Sequence, residues 1–310
     1  MFSDKINDLF TAQLLEWELA KVNYSQLKKV KTKILDFGDF EMFVQFNPER
    51  IRSSAAKVDS KSIGARPCFL CQVNRPIEQR GVTFADEFTV LVNPFPIFNR
   101  HLTIPSDLHT DQRIMNNFGK MLSLAEAIPG YVIFYNGPEC GASAPDHFHF
   151  QAGNKGFMPV ERDFSSGKHT GLLSVKPGIE IWQWKGYIRS IITLKGFDKE
   201  KLVDVFNHFF YRFSVLQPEK PEPMLNILAY HSHEGWVIHL IPRKLHRPVQ
   251  FFAEGNGQIL LSPASVDLGG VIITPREEDF NRISPDDVAD IFGQVCLEET
   301  LLPDFFSEII

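Results

Sequence analysis

The sequence contains little of what would place the protein outside the cell or in a membrane. Its N-terminal segment lacks the basic and long apolar stretches of a signal peptide, and no apolar run approaches the length of a membrane span. Only four of the 310 residues are cysteines, and in a reducing compartment these are not expected to form a disulfide framework. We therefore expect a cytoplasmic protein that makes no membrane contact.

The sequence also lacks a surplus of basic residues. The net charge of -6 and the pI of about 5.9 argue against nucleic acid as a main partner, because proteins that bind a phosphate backbone usually carry excess Lys and Arg. A small phosphorylated ligand is compatible with this charge, since it requires only a few local cations or a helix N-terminus.

The order of the patterns predicts an α+β protein. The length suffices for one large domain or two ordinary ones. A helix is expected from Ser3 to about residue 28, followed by a hairpin at 31–46 and an irregular polar connector at 47–66. Two similar sets of elements follow. They comprise strands at 88–92, 101–104, 131–135 and 147–151 around a helix at 110–127, then strands at 187–195, 225–230 and 236–241 around a helix at 198–215.

The tail adds a strand at 269–274 and a helix that begins at Ser284. Because the strands are not separated by regular helical crossovers, an antiparallel sheet with flanking helices is favoured over a doubly wound fold. We expect two similar halves, residues 1–165 and 166–310.

One predicted strand of the first half carries alternating polar side chains: His147, His149 and Gln151. Since strand side chains alternate faces, these three share one face, while Phe148 and Phe150 anchor the other face in the core. Three polar groups on one face need hydrogen-bond partners if they are buried. The arrangement indicates a functional site, although satisfied histidines on a sheet face would give the same pattern.

The chemistry of this strand fits attack on phosphorus. An imidazole near neutral pH is a competent nucleophile toward phosphorus and a good leaving group afterwards. The preceding loop, residues 136–143 (NGPECGAS), supplies glycines and a hydroxyl, and such a loop can direct backbone N–H groups at a phosphate.

The stretch Asn136-Gly137-Pro138-Glu139 with Gly141, leading into H-x-H-x-Q, resembles the active-site motif of the histidine triad (HIT) superfamily. Gln151 in the place of a third histidine resembles its transferase branch, which holds galactose-1-phosphate uridylyltransferase, diadenosine tetraphosphate phosphorylase and GDP-hexose phosphorylases. The segments 93–96 (NPFP) and 101–105 (HLTIP) are similar to the same superfamily.

The resemblance implies a role for each matching residue. His149 would be the covalent nucleophile, Gln151 would bind a phosphate oxygen of the intermediate, and Ser143 would donate to phosphate. The spacing from Ser143 to His147 is one residue longer than in the uridylyltransferase pattern. The implied substrate-binding residues are Asn93, near the ribose, and Asn136, Gly141 and Ala142 of the loop. Without the resemblance, residues 93–94 would equally be a plain turn.

Cys68 and Cys71 form a C-x-x-C pair, and His101 and His147 stand at the starts of predicted strands. Two thiolates and two imidazoles suit a closed tetrahedral zinc site, and the four match the zinc ligands of the uridylyltransferase pattern in type and order. Such a zinc would be structural, because protein atoms fill every position. A redox pair or two ordinary buried cysteines are the alternatives, although no thioredoxin-like βαβ pattern surrounds them.

A basic cluster that includes Arg243 and Arg247 follows the strand at 236–241. These cations could hold phosphates or a hexose phosphate, although a solvated strand end has the same composition.

Together these features predict a zinc-containing nucleotidyltransferase or phosphorylase acting on an NDP-sugar or dinucleoside polyphosphate. The acceptor would be inorganic phosphate or a sugar phosphate. A homodimer is expected from the transferase relatives. The alternatives are a HIT-type hydrolase, which Gln151 disfavours, and a nucleotide-binding protein without catalysis.

Overall fold

The computed structural model describes residues 1–51 and 60–306, so part of the predicted connector, residues 52–59, lies outside the described residues. The strands are β1 Lys31–Asp36, β2 Glu41–Phe46, β3 Gly81–Phe84, β4 Phe88–Val92, β5 His101–Pro105, β6 Tyr131–Asn136, β7 His149–Asn154, β8 Thr170–Lys176, β9 Ile179–Trp184, β10 Ile192–Gly196, β11 Leu225–Ser232, β12 Gly235–Pro242 and β13 Val271–Thr274. The α-helices are α1 Phe2–Glu16, α2 Glu18–Leu27, α3 Ser60–Gly64, α4 Phe118–Ala127, α5 Pro159–Ser166, α6 Lys199–Leu216, α7 Val249–Phe252, α8 Ser265–Leu268, α9 Glu277–Arg282 and α10 Pro285–Val295. Short 3₁₀ turns occur at Pro48–Arg50, Gln72–Asn74, Met115–Asn117, Gly255–Gly257, Glu299–Leu301 and Pro303–Phe306.

The N-terminal helix is interrupted where one continuous helix was expected. Trp17 has an extended backbone (φ -105°, ψ 102°) between α1 and α2. Its side chain is buried in the same hydrophobic cluster as Leu9 and Tyr24. The break lets both short helices turn an apolar face to the core, a tertiary effect that helical periodicity does not contain.

A large antiparallel sheet confirms the predicted α+β class. Its strand order is β3-β4-β5-β7-β6-β11-β12-β10-β9-β8, and each neighbouring pair is antiparallel. From the edge inward, one half of the sheet has the order β3-β4-β5-β7-β6, and the other half has the matching order β8-β9-β10-β12-β11. The two sets of five strands meet where β6 pairs with β11. The division into domains at residue 165 stays a prediction.

The two faces of the large sheet are covered differently. On one face, Phe148 and Phe150 share a hydrophobic cluster with side chains of α1, α4 and α6. The opposite face packs against a small sheet in which β2 pairs antiparallel with β1 and parallel with β13. Because side chains alternate along β7, His149 and Gln151 belong to this second face.

Among the described residues, no helix has the length and apolar character needed to cross a membrane.

We expect Gly153→Ala to destabilise the protein. An added Cβ at Gly153 would lie 2.4 Å from ring atoms of the buried Phe98, so the ring must move. Overpacking of this kind costs about 1–3 kcal/mol of unfolding free energy, to be measured by urea denaturation. Gly171→Ala on β8 is the matched control, because its Cβ would meet open space. Equal stability of the two variants would contradict this packing.

Candidate functional site

His149 is the first residue of β7 and is 3% exposed. Its Nδ1 lies 2.8 Å from the carbonyl oxygen of His147. Since a carbonyl oxygen only accepts, Nδ1 carries the proton and Nε2 keeps its lone pair. Burial lowers the pKa of His149 to about 4, so the ring is neutral at pH 7. His149 therefore presents a neutral imidazole with a free nucleophilic nitrogen.

The structure places His147 outside β7, although the alternation predicted that it would belong to this strand. β7 begins two residues later, and His147 belongs to a turn in which its N–H donates to the Ala144 carbonyl at 3.2 Å. Its Nε2 lies 2.8 Å from the carbonyl oxygen of Ser106 and donates to it. Nδ1 is therefore unprotonated, and it faces Cys68 Sγ at 3.3 Å and Cys71 Sγ at 3.5 Å.

The fourth member of this cluster is His109. One ligand atom from each of Cys68, Cys71, His109 and His147 lies within 4.8 Å of the others. His109 Nδ1 is 3.1 Å from Cys71 Sγ, and its Nε2 is 3.7 Å from a carboxylate oxygen of Asp146. Two thiols and two imidazoles, with each outer ring nitrogen facing an oxygen, fit a tetrahedral metal site. The cluster could bind a metal ion.

His101, the predicted fourth ligand, is not part of this cluster. It is fully buried, and its Nδ1 accepts from the Ile97 N–H at 3.2 Å. Its Nε2 then carries the proton and donates to Gln151 Oε1 at 3.1 Å. The prediction was wrong because both ring nitrogens of His101 are used inside the core. Its observed contact instead orients the amide of Gln151.

A cavity of about 670 Å³ opens in front of His149. That volume suits a nucleotide-sized ligand. Most of the residues expected at the site line it: His149, Gln151, Ser143, Asn93, Asn136, Gly141, Ala142 and Arg247.

Asn93 and Asn136 both line the cavity, and both also hold its walls together. Asn93 Oδ1 accepts from the Phe95 N–H at 2.9 Å. This bond forms a turn, which is the alternative interpretation of residues 93–94 given by the sequence. Asn136 Oδ1 accepts from Asn226 Nδ2 at 2.8 Å and from the Ser265 hydroxyl at 2.7 Å. These bonds tie Asn136 to the later part of the chain, which itself contributes Ala264 and Asp267 to the cavity wall.

Gly141 is required by two features of the loop before His147. Its φ of +95° is a conformation that favours glycine. An added Cβ would also lie 2.6 Å from the Cβ of Ala264. The loop therefore packs closely against the segment that precedes α8.

Arg243 does not line the cavity, which contradicts its predicted role in substrate binding. Its side chain is fully buried, and the guanidinium donates five hydrogen bonds. The acceptors are Asn226 Oδ1 and the carbonyl oxygens of Val295, Pro263, Leu245 and His246. A guanidinium has five N–H donors, so none is left for a phosphate.

His246, a member of the same predicted basic cluster, lines the cavity, as do Arg50 and Arg66, which were not singled out from the sequence. Burial lowers the pKa of Arg50 to about 10, and the nearby Asp267 carboxylate opposes this shift. Arg66 Nη2 contacts both the Ser143 carbonyl and Asp146 at 3.2 Å. The only sequence signal for the two arginines was the basic composition of the connector.

Two family models match successive parts of the chain. One, described as Domain of unknown function (DUF4922), matches residues 9–154, and the other, described as GDPGP1-like, C-terminal domain, matches residues 165–305. Galactose-1-phosphate uridylyltransferase of Halalkalibacterium halodurans is 24% identical over 205 residues, which are 59% of this chain and 39% of that protein. The Streptococcus thermophilus protein of the same name is 28% identical over 186 residues, 54% of this chain and 37% of the relative.

The crystal structure of yeast Ap4A phosphorylase Apa2 in complex with Ap4A has the same fold. It aligns with a TM-score of 0.65 and 18% identity, covering 96% of this chain and 97% of that one. The chain is therefore similar in sequence to uridylyltransferases and in fold to an Ap4A phosphorylase, in agreement with the resemblance of its histidine motif to the transferase branch of the HIT superfamily. It spans about two fifths of the length of the curated uridylyltransferases that it matches.

We expect Arg243→Met to unfold far more easily than the wild type, because it removes the donor from five acceptors, three of them in fully buried hydrogen bonds. The free energy of unfolding should fall by more than about 3 kcal/mol in urea denaturation. Arg162→Met is the control, because that side chain is 55% exposed and should cost less than about 1 kcal/mol. Wild-type stability of Arg243→Met would instead favour a role in ligand binding.

Proposed function

We propose that this protein is a nucleotidyltransferase of the phosphorylase type, with His149 as its covalent nucleophile. One observation supports this most directly. A neutral imidazole lines a nucleotide-sized cavity, with Nδ1 hydrogen-bonded to the His147 carbonyl and the Nε2 lone pair free. An imidazole in this state is suited to attack at phosphorus.

The reaction would proceed in two displacements. In the first, His149 Nε2 forms a bond to the α-phosphorus of a nucleoside diphosphate compound. The P–O bond to the leaving phosphate breaks, and that oxygen departs with the electron pair. In the second, an oxygen of inorganic phosphate or a sugar phosphate attacks the same phosphorus, and the electron pair of the N–P bond returns to Nε2.

Donors around His149 would hold the charged oxygens during both steps. His101 donates to Gln151 Oε1, which leaves the amide nitrogen of Gln151 as a donor toward phosphate. The Ser143 hydroxyl and the N–H groups of residues 141–143 would add further donors, as in other preorganised phosphoryl sites.

The cations that line the cavity support a phosphorylated substrate. Arg50, Arg66 and Arg247 would hold the remaining phosphates, and Asn93 would lie near the ribose. The names of the relatives favour an NDP-sugar or a dinucleoside polyphosphate as the nucleotide donor. We further propose a cytoplasmic protein without a nucleic-acid partner, as the sequence predicts, and a homodimer, as the resemblance to the transferases implies.

We propose zinc as the metal of the cluster formed by Cys68, Cys71, His109 and His147. When bound, zinc would cross-link the C-x-x-C turn to the turn before β7 and would neutralise thiolate charge. All four positions are filled by protein atoms, so the ion would be structural.

The role of His149 is tested by transfer of a labelled nucleotide. Wild-type protein, incubated with NDP-sugars or dinucleoside polyphosphates radiolabelled at the α-phosphate, should acquire acid-labile label. His149→Ala should acquire none and lose more than about a thousandfold in turnover. His233→Ala, whose side chain is 92% exposed, is the control and should label normally. Failure of wild-type protein to label with any of these donors would refute covalent catalysis.

The acceptor is identified by product analysis with and without inorganic phosphate or a sugar phosphate. A phosphorylase or transferase should form the nucleoside diphosphate or the exchanged NDP-sugar only when an acceptor is added. Release of free mononucleotide at the same rate without acceptor would instead identify a hydrolase.

The metal site is tested by elemental analysis of purified protein. Wild type should hold about one equivalent of zinc, and His109→Ala should hold far less after dialysis against a chelator, because it loses a ligand. His169→Ala, at a half-buried histidine outside the cluster, should keep the ion. Substoichiometric metal in wild type, or full retention in His109→Ala, would disprove the proposed ligand set.

A further inference from the structure

The side chain of Gln112 occupies a fully buried position between β6 and β7, beside the candidate nucleophile. Its Oε1 accepts from the backbone N–H of His149 at 2.8 Å. Its Nε2 donates to the carbonyl oxygens of His149 and Asn136, both at 3.0 Å. One primary amide thus binds both main-chain groups of His149 and the last carbonyl of β6.

Gln112 lies where the pairing of β6 with β7 ends. The observed register sets Tyr131 opposite Asn154 and Phe134 opposite Gln151. Continued without change, it would set Asn136 opposite His149, but that pair is absent from the ladder between these described strands. The amide of Gln112 binds the groups that a regular ladder would have joined, so the strands can separate at the nucleophile.

The other neighbour of His149 cannot supply a replacement. On β5, His149 stands opposite Pro105. The β5–β7 hydrogen bond next to this pair is from the Ser106 N–H to the Phe148 carbonyl, so the main chain of His149 faces away from β5. The main-chain N–H and C=O of a buried residue need partners, and Gln112 provides them for His149.

The segment that carries Gln112 is itself held from several directions. The Gln112 N–H donates to the Pro145 carbonyl at 3.0 Å. Two residues later, the Ile114 N–H donates to a carboxylate oxygen of Glu222 at 2.6 Å, and the Tyr135 hydroxyl donates to the other oxygen at 2.6 Å. These bonds hold residues 110–114 in an irregular segment where a helix was expected, and α4 begins only at Phe118.

We infer that Gln112 is a positioning residue for nucleotidyl transfer. Its amide fixes the main chain of His149 against Asn136 and so sets the distance between Nε2 and the phosphate-binding loop at 141–143. This role rests on the proposed function of His149. A displacement of about 1 Å at a reacting group can cost on the order of a hundredfold in rate. The loss should fall on the chemical step, because Gln112 does not line the cavity.

Two variants separate the contributions of the amide. Gln112→Glu keeps the shape and the acceptor but turns an oxygen toward two carbonyl oxygens, and Gln112→Leu removes both donor and acceptor. The rate of single-turnover labelling is measured with a saturating concentration of the α-labelled nucleotide that labels wild type, and is divided by the folded fraction of each protein. This rate should fall about 10–100-fold in both Gln112 variants. The dissociation constant of the nucleotide should change by less than about threefold.

Gln217→Leu is the matched control. The side-chain amide of Gln217 also binds two main-chain groups. It donates to the Arg243 carbonyl and accepts from the Met224 N–H, both at 2.8 Å. It does not line the cavity, so its loss should lower stability and leave the labelling rate of folded protein unchanged.

The outcomes distinguish this inference from the proposed function. Labelling of wild type with wild-type rates in both Gln112 variants would overturn the positioning role. An equal loss of rate in Gln217→Leu would overturn it as well, because a general structural effect would then suffice. Absence of label in wild type would refute His149 as the nucleophile instead. If Gln112→Leu does not fold, the rate of Gln112→Glu decides.

Discussion

The chemistry of the site depends on one hydrogen bond, from His149 Nδ1 to the carbonyl oxygen of His147. It fixes the tautomer of His149, the proposed nucleophile, and leaves the lone pair on Nε2. His147 accepts this bond through its main chain while its ring faces the thiols of Cys68 and Cys71. His147 therefore links the Cys/His cluster directly to His149. Groups that hold the cluster in place also help to hold the orientation of the His149 ring.

The two sets of five strands share an order but differ in what they place in it. In the first, Thr103 pairs with Gln151, which lines the cavity. In the second set, the β10–β12 pair takes the place of the β5–β7 pair. There Thr193 pairs with His239, whose ring is fully buried near Trp184. Burial lowers the pKa of His239 to about 3. In the second set of strands, this strand pair is therefore packed with aromatic side chains, whereas in the first set it lines the cavity.

Alternation and composition were enough to predict most strands, the α+β class and the common face of His149 and Gln151, because these follow from local geometry. The alternation failed for His147, where a turn replaces the strand. Sequence order could not distinguish His109 from His101, since the course of the loop after β5 decides which ring meets the thiols. The sequence of the basic cluster does not show that the N–H donors of Arg243 are already taken by groups of the protein itself. Strand order and the break at Trp17 likewise depend on tertiary packing.

Asn136 and Asn226 lie opposite each other where β6 meets β11, and their side chains are hydrogen-bonded. Arg243 binds Asn226 in turn, so a residue far along the chain reaches the wall of the cavity in two steps. Evolutionary change should therefore be unevenly tolerated in the second half. Its edge strand β8, whose side chains are exposed or half-buried, should tolerate many substitutions. The residues where β6 meets β11 must instead keep their polar partners if the cavity wall is to keep its shape.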